Sequence, residues 1–113
     1  MRLEAKKYLA DIQAAAERIQ RFTKDKTFEQ YRGNELLRSA VERQFTIVGE
    51  ALAQLDRDDP AIAAAVPDRP KIIAFRNILV HRYAAVDDRI VWGVIETHLA
   101  SLRKAVEELL ARG

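Results

Sequence analysis

Apolar residues recur along this chain at spacings of three and four, and no run shows sustained two-residue alternation. Tyr8, Ile12, Ala15, Ile19 and Phe22 form one stripe, with Lys and Glu on the other faces. The spacing predicts a first helix over 3–22. Thr23-Lys24-Asp25-Lys26 is a polar break, after which Thr27 can cap a short turn through Phe28 and Tyr31. Gly33-Asn34 is the next breaker. A long helix over 35–57 should follow, facing the core with Leu37, Val41, Phe45, Val48, Leu52 and Leu55. Gly49 interrupts it at some local cost, which suggests the close approach of another helix.

Asp59-Pro60 pairs a cap with a first-turn proline and predicts a short helix over 61–66. Pro70 then opens a helix over 71–82. Asp87 is the expected cap of a last helix reaching Ala111, with Ile90, Val94, Ile95, Leu99, Leu102, Val106 and Leu109 as its stripe. No Asn-Gly or Asp-Gly hairpin signal appears, nor any repeat or long linker. The expected fold is all-α: one domain over 1–113, an antiparallel bundle of four main helices plus one or two short ones.

Composition narrows the function classes. Hydrophobic residues make up 49% of the 113, charged ones 32%, and aromatics are few. Small aliphatics suit close helix packing better than a sheet. The 19 basic residues, mostly Arg, oppose 17 acidic ones, and a net charge of +2 does not by itself announce a nucleic-acid binder. There is no Cys, so disulfides and thiolate metal sites are out. Met1–Lys7 lacks the apolar run of a signal peptide, and no stretch nears the length of a membrane span. A cytoplasmic protein without membrane contact is the expectation.

The chemistry concentrates at Arg76-Asn77-Ile78-Leu79-Val80-His81-Arg82-Tyr83. An Arg that stays charged stands near a His that titrates around neutrality, with a Tyr hydroxyl close by. Such groups suit a phosphate ester. On a regular helix Asn77 and His81 share one face and Arg76 and Tyr83 another. Arg76 and His81 then lie about 140° apart around the axis. They meet only if Arg76 curls across, if the helix deforms near His81, or if two copies of the motif face each other in a dimer. In RNA cleavage without a metal, His81 would serve as general acid or base and Arg76 would hold the phosphate. Asn77 would orient the imidazole or donate to the phosphate. The plain alternative is a surface or interface His81 and an ion-paired Arg76.

The run Ile72–Tyr83 followed by Val86-Asp87 and Val91-Trp92, together with Arg38–Phe45 and Ile47–Ala51 upstream, resembles the HepT-like group of the HEPN superfamily. The resemblance covers nearly the whole chain in order. It implies a HEPN-like bundle that dimerises through the motif helix, and a ribonuclease toxin of a toxin–antitoxin pair. It implies Arg76 and His81 as the catalytic pair, Asn77 in support, and Tyr83 as the acceptor of AMP transferred by a cognate nucleotidyltransferase antitoxin. The expected partners are a second copy, that antitoxin and RNA, with no cofactor.

Glu42, Arg43 and Glu50 could line the cleft opposite the motif helix or make inter-helix ion pairs. His98 is expected at the core edge, hydrogen-bonded, and Trp92 in core or dimer packing. With two His and no Cys, no metal site is expected, and no Gly-rich loop would cradle ATP. The rival of another class is a non-catalytic module, binding nucleotide or serving as scaffold for a nucleotidyltransferase. A third possibility, the antitoxin itself, lacks the nucleotidyltransferase pattern in this chain.

Overall fold

Helices α1 (Leu3–Thr23) and α3 (Glu35–Asp58) run antiparallel and form the spine of the molecule. The computed structural model describes every residue, Met1–Gly113, and contains helices and turns without a strand. Between the two long helices lies α2 (Phe28–Arg32). Thr27 and Gln30 form a reciprocal capping box at its start. The side chain of Asn34 accepts from Leu37 N and starts α3. Asp59 does the same for α4 (Pro60–Ala63), accepting from Ile62 N. Each cap satisfies a donor that the first turn leaves free, which is why these boundaries follow from local sequence.

The predicted face of α3 is buried in full, from Leu37 through Leu55. On α1, Ile12, Ala15 and Ile19 are buried as expected, and Ala5, Leu9 and Ala16 join them. Two apolar clusters result. One gathers Leu9 and Ile12 of α1, Leu52 and Leu55 of α3, and the last turns of the chain. The other gathers Ile19, Tyr31, Val41, Phe45 and Val91. Helix α5 (Arg69–His81) packs along α3 and feeds both, through Ile72 into the first and Phe75 and Leu79 into the second. The rings of Phe45 and Phe75 meet edge-on at 5.3 Å.

The final segment departs from the expected single helix. It is two helices, α6 (Asp88–Thr97) and α7 (Leu99–Ala111), broken at His98. The His98 imidazole leaves the helix line to meet Asp68 Oδ2 at 2.7 Å, just ahead of α5. Asp68 itself adopts a left-handed backbone, φ 59°, which Asp tolerates better than most residues. Val91 is buried, whereas Ile90, expected on the core face, is 54% exposed. Trp92 sits at the core edge, its ring 5.4 Å from that of Tyr31. No helix is long and apolar enough to cross a membrane.

Candidate functional site

Helix α5 carries the motif, and its start is tied down from two sides. Arg69 pairs with Asp56 of α3 at 3.0 Å, and Asp68 holds His98. Pro70 occupies the first turn, where a missing N–H costs nothing. The helix begins two residues earlier than Pro70 alone suggests. It ends at His81, where Arg82 leaves helical geometry while its N–H still donates to Ile78 O at 2.9 Å. A 3-10 turn, Tyr83–Ala85, follows, and the Asp87 side chain then caps α6 through Arg89 N.

The inward face of α5 includes Arg76. Its side chain is only 16% exposed, and its Nη1 lies 3.5 Å from Glu50 Oε1 of α3. Gly49 makes this possible. A Cβ at residue 49 would stand 2.2 Å from Arg76 Cβ and 2.6 Å from Cγ, so the two helices cross with nothing between them but the Arg stem. The Nε–H of Arg76 is buried and has no partner. The ion pair is long and the Nε–H has no acceptor, so the guanidinium is incompletely satisfied within the chain.

The outward face of α5 carries Ala74, Asn77, Ile78 and His81, all exposed. Asn77, Ile78, His81 and Arg82 line a shallow hollow of about 230 Å³. A second hollow, of about 320 Å³, is lined by His81, Arg82, Tyr83, Ala84 and Ala85. Asn77 and His81 thus lie together, as helical spacing requires. Tyr83 does not join Arg76 by that rule. The helix stops before residue 83, so the seven-residue relation lapses. Tyr83 is 80% exposed and shares its hollow with His81. Arg76 lines neither hollow. Arg82, to which the motif assigns no role, lines both. Its exposure on the terminal turn was the only available signal.

The three candidate cleft residues separate. Glu50 makes an inter-helix ion pair with Arg76 and is itself 53% exposed. Arg43 and Glu50 also line a groove of about 260 Å³ between α1 and α3, with Tyr8, Asp11, Thr46 and Gln54. Glu42 points elsewhere, into the α2–α3–α6 junction. Burial pushes its carboxyl above the usual range, the nearby Asp88 charge adds to the rise, and Arg38 opposes it. Tyr31 shares that junction. It is fully buried, its hydroxyl has no partner, and burial followed by the charges of Glu42 and Asp88 drives its pKa upward. His98 is partly buried and hydrogen-bonded at the core edge. No three His, Cys, Asp or Glu side chains converge in a way that could hold a metal ion.

A family model described as "Ribonuclease HepT-like" matches residues 12–109. The "Probable ribonuclease HepT" of Thermococcus cleftensis is 32% identical over 109 residues, covering 96% of this chain and 98% of that protein. "Putative RNase MJ1380" of Methanocaldococcus jannaschii is 31% identical over 104 residues, covering 92% and 94%. No solved structure matches at the same stringency.

Proposed function

The chain belongs to the Ribonuclease HepT-like family, and from that membership we propose that it is a ribonuclease toxin, completed as a homodimer and silenced by a nucleotidyltransferase antitoxin. The observation that carries the reading is the placement of His81 within the matched span. It stands exposed on an outward helix face beside Asn77, with hollows on both sides. Two relatives matched over nearly their full length carry ribonuclease names.

The chemistry follows from what each group can do. A neutral His81 takes the proton of an RNA 2′-hydroxyl, whose oxygen attacks the adjacent phosphorus. The O5′–P bond breaks, the leaving oxygen takes a proton from an imidazolium, and the products are a 2′,3′-cyclic phosphate and a 5′-hydroxyl. One imidazole cannot accept and donate at the same instant. Two copies related by a two-fold axis supply two, and also bring a second Arg76 to the cleft. In this reading the copies meet at the Ala74 end of the outward face of α5, and Asn77, Ile78 and His81 stay open in the cleft between them. Arg76 then stabilises the charge that builds on the phosphoryl oxygens, and Asn77 orients the imidazole. The scheme calls on no metal ion.

Tyr83 is open enough to serve as the acceptor of AMP. Its phenolic oxygen attacks the α-phosphorus of ATP on the partner enzyme, pyrophosphate leaves, and the proton passes to solvent. The new phosphodiester and nucleoside fill the hollow that Tyr83 shares with His81, excluding an RNA phosphate by volume and charge.

The test compares wild type, Arg76→Ala and His81→Ala for growth arrest on expression and for RNA cleavage by purified protein. Wild type should cleave and both variants should lose cleavage. Light scattering should give the mass of a dimer. Incubation with the partner and ATP should raise the intact mass in AMP steps, and Tyr83→Phe should gain none. Wild type and His81→Ala behaving alike in growth and cleavage would refute the nuclease reading and leave a non-catalytic module.

A further inference from the structure

An RNA strand crossing His81 must place a phosphate at the imidazole and a nucleoside on either side of it. The surface around His81 has that form. Of the residues lining the two hollows, only His81 and Arg82 belong to both, so they form the wall between them. One hollow adds Asn77 and Ile78, and the other adds Tyr83, Ala84 and Ala85. The cation on that wall is Arg82. Arg76 is largely buried and already faces Glu50, whereas Arg82 is exposed and no carboxylate lies within ion-pair distance of it. Its backbone is held by hydrogen bonds on both sides, Arg82 N to Ile78 O and Ala85 N to Arg82 O at 2.8 Å. The guanidinium therefore projects from a fixed point.

We propose that Arg82 binds the RNA backbone at His81, with the nucleosides flanking that phosphate seated in the two hollows. The substrate class is single-stranded RNA, because a nucleoside enters a hollow only after leaving its stack. The Tyr83 ring offers one of those bases a stacking platform. The inference rests on the ribonuclease reading and assigns within it the residue that holds substrate on the His81 side. Arg76 retains the transition-state charge.

The experiment measures binding of a short single-stranded 2′-O-methyl oligoribonucleotide, which lacks the nucleophilic hydroxyl, by anisotropy across a salt series. Wild type, His81→Ala, Arg82→Ala, Arg82→Lys and Arg112→Ala are compared, with thermal melts confirming that each is folded. Losing one phosphate contact to a single strand should reduce the slope of log affinity against log salt by about 0.7. Arg82→Ala should bind about tenfold more weakly at low salt, the loss of one charge-assisted hydrogen bond. Arg82→Lys should restore the slope, and Arg112→Ala should leave it unchanged. In cleavage assays Arg82→Ala should raise KM more than it lowers kcat. If wild type cleaves, His81→Ala does not, and Arg82→Ala binds like wild type, the Arg82 assignment is overturned while the nuclease reading stands. If a duplex of the same sequence binds as tightly as the single strand, the hollows are not nucleoside seats. If wild type neither binds nor cleaves RNA, both readings fall.

Discussion

Replacing Gly49 by Ala sets helix propensity against packing. Within α3, Ala gains about 1 kcal/mol over Gly in backbone entropy. The new methyl carbon, however, would stand 2.2 Å from Arg76 Cβ and 2.6 Å from Cγ. Non-bonded carbons settle at about 3.5 Å or more, so the helices must part by roughly 1.3 Å at the crossing. Cβ is fixed to the backbone of α5 and cannot swing away as a side-chain tip would. The whole helix must shift, loosening Phe75 from Phe45. Overpacking that moves backbone costs about 3 kcal/mol at the upper end of its usual span, leaving a net loss of about 2 kcal/mol. At about 2.1 cal/mol/K of unfolding entropy per residue, the 113 residues convert each kcal/mol into about 4 °C. Gly49→Ala should therefore melt about 8 °C below wild type by calorimetry. Gly93→Ala, in α6, is the matched control, since its Cβ meets nothing within 4 Å. It should melt about 2–4 °C above wild type. Under the proposed chemistry the displaced Arg76 should also cost Gly49→Ala cleavage rate at temperatures where it is folded, up to about 100-fold for a shift near 1 Å. A Gly49→Ala protein that melts at or above wild type would refute the close-crossing argument.

Other predictions concern the groups that the fold buries or ties. Tyr31→Phe deletes an orphan buried hydroxyl and should stabilise by about 1 kcal/mol, seen as a melting point raised by about 4 °C. A lowered one would mean that the hydroxyl has an acceptor. The Glu42 carboxyl is raised first by burial and then by Asp88, so the folded state holds its proton more tightly than the unfolded state does. Its contribution is full at acid pH and is lost as pH rises through the raised value. Glu42→Gln should therefore melt above wild type at neutral pH, with the gap closing as pH falls into the ordinary carboxylate range. A gap that widens on acidification would contradict the sign. His98→Ala removes the 2.7 Å bond to Asp68 and should cost about 1 kcal/mol, because both side chains are partly exposed. Hydrogen exchange should accelerate in the first turn of α5 and remain unchanged in the last turn of α7. Acceleration everywhere would point to global loss instead.

The boundaries legible in the sequence are those set by neighbours in the chain. Thr27, Asn34, Asp59 and Asp87 cap the helices that follow them because a side-chain oxygen needs only to reach a donor two or three residues ahead. The α3 stripe was legible because one face of a regular helix repeats from Leu37 to Leu55. Gly49 signalled a close crossing by its cost alone, without naming what crosses it. The break at His98 left no mark in the periodicity, and the residue that His98 bonds there, Asp68, is thirty residues away in sequence.

For the motif the division is similar. By itself the sequence determined the residue types, the helix that carries them, and the divergence of Arg76 from His81 that follows from a regular helical turn. The tertiary structure decided what each side chain faces. Gly49 and Glu50 turned Arg76 into a half-sheltered cation. The stop after His81 moved Tyr83 off the face it would share with Arg76 and into the hollow beside the imidazole. Arg82 became the exposed cation between two hollows. Helical periodicity is a rule about one axis, and it lapses where the helix ends or where a second helix occupies the space.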